Sequence, residues 1–233
     1  MRTKTKLAAV LLAALMGAAA CSDDESPTSP TPPTTTPPAE VADVRVRVAH
    51  LSPDAPAVDV LVNGDVVLTG VPYKAISDYL DLSAGEYRIQ VTPAGQNDIS
   101  VIDATVTLTS GNVYTVAATG FLADIQPLVL LDDLGTSSNA RLRPVHASPD
   151  APAVDIAVKG GDVLVYGLTF RAAGPYLEVP AGSYDLEVRL AGTDTVALSI
   201  DGLQLSGGTT STAFVVGSAA GGTLEPIAAQ DAP

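Results

Sequence analysis

The residues of this 233-residue chain with the chemistry for nucleophilic, acid–base or metal work are one Cys, two His and 26 Asp+Glu. A nucleophile needs a base in reach. Cys21, the only cysteine, directly follows an apolar run near the N-terminus, far in sequence from either imidazole. His50 and His146 open two copies of one block, His-x-Ser-Pro-Asp-Ala-Pro-Ala-Val-Asp, ending at Asp59 and Asp155. Each copy also holds a Pro-Asp pair, Pro53-Asp54 and Pro149-Asp150. Such a block has two readings, a fold-defining turn or a metal or ligand site, and residue parity favours the turn. No Gly-x-Ser-x-Gly elbow and no EF-hand spacing occurs. Gly207-Gly208 and Gly221-Gly222 lack the Lys and the strand-to-helix setting of a phosphate loop. Nothing singles out a carboxylate pair for glycoside hydrolysis from so many acids. No catalytic, cofactor-binding or metal residue is assigned, and no cofactor is expected.

Parity decides how the block should sit. Val44, Val46 and Val48 alternate with Arg45 and Arg47, the pattern of a half-buried strand. His50 shares the parity of the valines and should point into the core at the strand end. Asp59 alternates with Val58 and Val60 and should point away from it. Side chains on opposite faces cannot jointly ligate a metal. Asp54, following Pro53, is placed to accept backbone N–H groups, as Asp does in turns. His50 would then be satisfied by a loop carbonyl or by Asp54. The Arg45/Arg47 pair and its counterpart Arg141/Arg143 should face outward. They read as edge protection among abundant acids, or as a contact surface for an anionic glycan or an envelope protein.

The elements behind these residues are one module written twice. Ser52–Asp59 and Ser148–Asp155 are identical at an offset of 96. One extra glycine, Gly160-Gly161 against Gly64, moves the offset to 97, at which Tyr79-Leu80 matches Tyr176-Leu177 and Ala84-Gly-x-Tyr87 matches Ala181-Gly-x-Tyr184. Each copy reads as short alternating strands with turn signals about every 8–12 residues and no helical stripe, the pattern of a β-sandwich. Asn63-Gly64 carries the turn chemistry of a tight hairpin. Tyr87 and Tyr184 should place their rings in the core and their hydroxyls on a turn backbone. Copy two departs from copy one at Pro144 (Val48 in copy one), at Lys159 (Asn63), and in having no aromatic near Thr209–Thr212, where copy one has Tyr114. Its first strand and the strand before Gly217 should be less regular.

The repeated block, with its Asn-Gly and Ala-Gly-x-Tyr, resembles the bacterial and archaeal domain-of-unknown-function family 4397, over residues 43–135 and 141–228. The resemblance implies secreted or envelope-anchored Ig-like β-modules, and it brings no catalytic residues because the family has no assigned activity. The expected organisation is therefore all-β: signal peptide 1–20, Cys21 and linker 21–40, and two tandem Ig-like β-sandwiches over 41–135 and 141–233.

The first twenty residues read as an export signal. Arg2, Lys4 and Lys6 precede the apolar run Leu7–Ala20, which is too short for a comfortable membrane span. The order basic–apolar–Cys resembles a bacterial lipoprotein signal, with Cys21 lipidated and first in the mature chain. An ordinary signal peptidase site, Ala18-x-Ala20, would cut at the same bond. Cleavage there removes three cations and no acid, taking the formal charge from −14 to −17. A surface that acidic is repelled by nucleic acid and anionic headgroups, so nucleic acid is excluded as a partner and the membrane is reached through covalent lipid. Residues 22–40, rich in Pro and Thr, form an extended spacer that could reach roughly 60 Å; a proline ligand or glycosylated stalk is the other reading. The function expected is a non-enzymatic cell-envelope lipoprotein that binds, adheres or spaces, with a secreted hydrolase as the alternative. Mass spectrometry of the N-terminal peptide should find Cys21 carrying two or more acyl chains; an unmodified Cys21 in a freely soluble protein refutes lipidation.

Overall fold

The computed structural model describes residues 43–96 and 98–231. The expected signal peptide, Cys21 and the tether lie outside them. The described chain is all β apart from one 3-10 turn at Leu122–Asp124. Repeat 1 supplies β1 (Val44–His50), β2 (Val58–Val62), β3 (Asp65–Val71), β4 (Leu80–Leu82), β5 (Gly85–Pro93), β6 (Ile102–Leu108), β7 (Val113–Thr119) and β8 (Gln126–Leu131). Repeat 2 supplies β9 (Ala140–His146), β10 (Val154–Val158), β11 (Val163–Leu168), β12 (Leu177–Val179), β13 (Gly182–Leu190), β14 (Val196–Leu205), β15 (Thr210–Val216) and β16 (Glu225–Gln230).

Each repeat folds into two four-stranded sheets. The orders are β4-β1-β7-β8 and β3-β2-β5-β6 in repeat 1, and β12-β9-β15-β16 and β11-β10-β13-β14 in repeat 2. Strand order thus repeats with a shift of eight strands. Within each repeat one pair, β1 with β7 or β9 with β15, is parallel, and the remaining named pairs are antiparallel. Parallel neighbours need a crossover; the chain between β1 and β7 supplies it by building the opposite sheet. Asn63 and Gly64 both take positive φ, 53° and 93°, and close the β2–β3 hairpin as their types require.

Strand parity sorts the side chains into layers. Val44 and Val46 of β1 and Tyr114 and Val116 of β7 turn inward onto Val60, Ile89, Val106 and Leu108 of the opposite sheet. The other face of the same strands is buried as well. Ala49, Leu51, Ala117 and Leu130 of repeat 1 form a single apolar cluster with Val145, Ala147, Phe214 and Val216 of repeat 2. The sheets that carry β1 and β9 therefore face each other, and the two sandwiches stack as four layers. This explains why all seven residues of β7 are buried: the strand has a core on each side.

The expectation that copy two's first strand would be irregular is not met, because β9 runs unbroken through Pro144. In repeat 1 the Val48 N–H leaves the ladder and donates to Ser77 Oγ at 2.9 Å. In repeat 2 Pro144 removes that donor, and Gly174 stands where Ser77 was, so the acceptor is lost with it. A side chain at Gly174 would also press on the Pro144 ring, with a Cβ only 3.0 Å from Cγ. The strand before Gly217, β15, is likewise uninterrupted.

Candidate functional site

The repeated loop is built around its imidazole. His50 is buried at the end of β1, as its parity requires. Its Nε2 lies 3.0 Å from the Pro56 carbonyl, while Nδ1 accepts the Ser52 N–H at 3.5 Å. His146 repeats both contacts, with Pro152 O at 3.0 Å and the Ser148 N–H at 3.3 Å. One nitrogen donates and the other accepts, which fixes a neutral ring with the proton on Nε2. Of the two satisfying partners expected for His50, the loop carbonyl is the one found. Asp54 instead accepts the Leu122 N–H at 2.7 Å, and Asp150 accepts Ser218 Oγ–H at 2.6 Å and the Ala219 and Ala220 N–H groups. Pro53 and Pro149 hold the turns that aim these carboxylates.

Asp59 and Asp155 do point away from the sandwich core, but not into solvent. Both are buried. Asp59 accepts the N–H of Gly70 at 2.7 Å and of Gly95 at 2.8 Å, and Asp155 accepts those of Gly167 and Gly192 at 2.6 and 2.8 Å. Gly70 and Gly167 take φ near +60° beside a bulge in the hairpin, so the carboxylate ties that bulge to the turn that follows β5 in repeat 1 and β13 in repeat 2. The bonds from Gly95 and then Gly70 hold the Asp59 carboxyl below its ordinary range. The repeated block is a clamp whose polar atoms are committed internally. Among the described residues no group of three or more His, Cys, Asp or Glu is placed to hold a metal ion.

The arginine expectation needs correction. Arg47 and Arg143 leave their own sandwich cores, as parity says, but they are 1% and 4% exposed because the other repeat covers that face. They cannot form an outward contact surface. Arg47 Nη2 meets Asp231 at 2.5 Å, Nη1 donates to the Gln230 carbonyl, and Nε donates to Thr115 Oγ1 at 2.8 Å. Arg143 mirrors this with Asp132 at 2.5 Å, the Leu131 carbonyl, and Thr212 Oγ1 at 2.8 Å. Thr115 Oγ1–H passes on to Asp132 Oδ2 at 2.6 Å, and Thr212 Oγ1–H to Asp231 Oδ2 at 2.8 Å. Arg47, Thr115, Asp132, Arg143, Thr212 and Asp231 thus close a hydrogen-bonded circuit across the seam. Tyr79 donates to Asp132 and Tyr176 to Asp231, at 2.8 and 2.9 Å. Burial and the adjoining carboxylates push both phenols well above their usual range.

The outer members of the pairs differ. Arg141 is half-buried, stacks on Tyr176, and donates to the carbonyl and carboxylate of Asp133. Arg45 is half-buried over Tyr79 and borders a cleft of about 540 Å³ that also includes Asp78 and Asp81. That surface is mixed in charge, not a basic stripe. Two further matched cations also cross the seam: Lys74 to Glu225 at 2.7 Å, and Arg171 to Thr119 and Gln126. Sequence reasoning missed Thr115, Thr212, Asp132 and Asp231. Their signal was present, since Thr115/Thr212 obeys the 97 offset and an Asp follows the last strand of each copy.

The tyrosines behave as expected, with Tyr87 donating to Ser83 O at 2.9 Å and Tyr184 to Pro180 O at 2.7 Å. A family model described as "Domain of unknown function (DUF4397)" matches residues 44–157 and again 140–233. The chain belongs to this family. The two matched segments agree with two copies of the sandwich. No curated protein matches. Among solved structures the chain is similar to a leucine-rich repeat protein from Bacteroides thetaiotaomicron, at 14% identity, TM-score 0.20, and 72% coverage of this chain. It spans about a quarter of that protein's length, 25%. A candidate cell adhesion protein from Bacteroides fragilis matches at 12% identity and TM-score 0.21, covering 81% of this chain and 98% of its own.

Two measurements check this geometry. Arg47→Met should cost about 3–5 kcal/mol in urea unfolding, because it leaves the Asp231 carboxylate buried without its guanidinium. The double change Arg47→Met/Asp231→Leu should recover part of that loss; a single-variant cost under about 1 kcal/mol would show the circuit to be dispensable. The second concerns pH. Burial holds both imidazoles below 6.5, opposed in part by the bonds to Pro56 and Pro152. The unfolded chain takes up protons below about pH 6.5 while the folded chain resists them, so stability is full above that pH and falls below it. The unfolding midpoint should drop between pH 6.5 and 5, and the drop should be much shallower in His50→Gln/His146→Gln, where only the depressed carboxylates still contribute near pH 5.

Proposed function

We propose that this protein is a non-catalytic envelope module: a lipid-anchored, double β-sandwich that presents a rigid acidic body for binding or spacing at the bacterial cell surface or outer membrane. The observation that carries the reading is the commitment of the groups that could do chemistry. Both imidazoles have each nitrogen in a hydrogen bond within their own loop. The carboxylates of the repeated block accept backbone or hydroxyl donors. A general base so engaged would have to break its loop to act. Membership of a family of β-modules without assigned activity fits the same reading.

Rigidity supports the spacing role. Six charged or hydroxyl side chains and an apolar layer join the repeats, so the two sandwiches would move as one body on the tether. Membrane attachment would come from lipid on Cys21, and an envelope protein or glycan is the partner class that suits an exported acidic surface. The mature protein, assayed against a broad panel of ester, glycoside and peptide substrates, should show no turnover above the blank. Turnover abolished by His50→Gln or His146→Gln in a variant that remains folded by circular dichroism would overturn the proposal in favour of a secreted hydrolase.

A further inference from the structure

The seam between the repeats has two parts, and they differ in symmetry. The polar circuit is reciprocal: Arg47 meets Asp231 and the Gln230 carbonyl, and Arg143 meets Asp132 and the Leu131 carbonyl. Each repeat offers the other the same patch, as identical partners do across a two-fold interface. The circuit itself would serve equally well between like repeats of two copies of the chain.

The apolar layer is not the same on both sides. β1 sets Ala49 beside Ala117 of β7, whereas β9 sets Val145 beside Phe214 of β15. All four are fully buried in one cluster. Around this centre the sizes reverse. Leu51 of repeat 1 corresponds to Ala147 of repeat 2, and Leu130 to Ala229. Ile76, which bridges to Ala49, corresponds to Ala173, which bridges to Val145. At each of these five positions one repeat has alanine and the other a bulky side chain. Ile76 and Ala229 border the same cleft, so at that edge of the seam large stands near small. Repeat 1 is hollow at the centre and raised at the rim; repeat 2 is raised at the centre and hollow at the rim.

We infer that the seam face of each repeat fits only the unlike repeat, so that this surface refuses the like repeat of a second copy of the chain. Two repeat-1 faces would touch at their rims and leave a void between their alanines. Two repeat-2 faces would press Phe214 and Val145 against their equals. A cavity and an overpacked centre are each costly. Misfit of this kind separates partners that the charges cannot tell apart. The unlike repeat of another copy would fit, but the short joint between Leu131 and Ala140 keeps the chain's own unlike repeat at a far higher effective concentration. Copies crowded on one membrane therefore stay separate bodies, a consequence that rests on the proposed envelope setting. The pairing rule stands on the seam alone and is independent of the anchor and of the absence of turnover.

The test places the like pairings inside one molecule. In the mature chain, Val145→Ala/Phe214→Ala gives two faces with hollow centres. Ala49→Val/Ala117→Phe gives two faces with raised centres. All four changes together transpose the centres of the two repeats. Urea unfolding should put the two-hollow chain roughly 1 M or more below the wild type, and the two-raised chain below the wild type as well. The transposed chain should recover much of the loss and lie above both. Circular dichroism establishes that each chain is folded; if the two-raised chain is not, the two-hollow and transposed chains carry the comparison. A transposed chain no more stable than the two-hollow chain, or a two-hollow chain as stable as the wild type, would overturn the proposal.

Discussion

A guanidinium taken out of water must find a carboxylate or be destabilising, and this one requirement shapes the molecule. Arg47 and Arg143 are each placed by strand parity on the face that their own sandwich does not use. Covering that face with the other repeat buries both charges, and it is tolerable only where each meets an acid. Asp231 and Asp132 meet them from the ends of the opposite repeats' last strands. An apolar layer alone would allow the sheets to slide. The paired charges select one apposition, because sliding one sheet over the other by a single residue, about 3.3 Å, would pull each guanidinium out of hydrogen-bond reach of its carboxylate. Buried ion pairs contribute little net stability compared with apolar replacements, so their role here is specification of a single apposition.

The sequence was legible wherever a rule acts over short range. Alternation located the strands, Asn63-Gly64 located a hairpin, and the parity of His50 against Val44 and Val46 gave its inward direction. Ala-Gly-x-Tyr gave the two tyrosine hydroxyls their carbonyl acceptors. What was not legible was what lies beyond a sheet's second face. Alternating Val and Arg is the pattern of a strand with one wet side, and Arg47 obeys that pattern locally while being dry in the fold. The contrary signal lay in β7, where Val113–Thr119 carries no charge on either face. Asp59 points outward as its parity says, but the two glycine turns that fold over it were not legible.

The repeats have diverged unevenly around the shared seam. Members of the circuit are the same in both copies: Arg, Thr, Tyr and Asp recur at every position. Away from it, changes are compensated locally. Pro144 and Gly174 delete a donor and its acceptor together, which costs the strand nothing. Where Ser211 and Ala213 are smaller than Tyr114 and Val116, Leu142, Ile156, Ile200 and Leu203 are larger than Val46, Val60, Ala104 and Val106, so the interior is repacked while the interface geometry is kept.

The circuit is symmetric in space but not along the chain. Arg143 and Asp132 are separated by 11 positions, whereas Arg47 and Asp231 are separated by 184. The first contact can form as soon as β9 follows β8. The second joins the first strand to the residue after the last one, so its loop-closure entropy is met only when both sandwiches exist. During synthesis from the N-terminus, repeat 1 must hold its folded shape with Arg47 answered only by its own Asp132, 3.9 Å away, until β16 brings Asp231. Final locking of the double sandwich is thereby a late, long-range step in its assembly, triggered by the last strand.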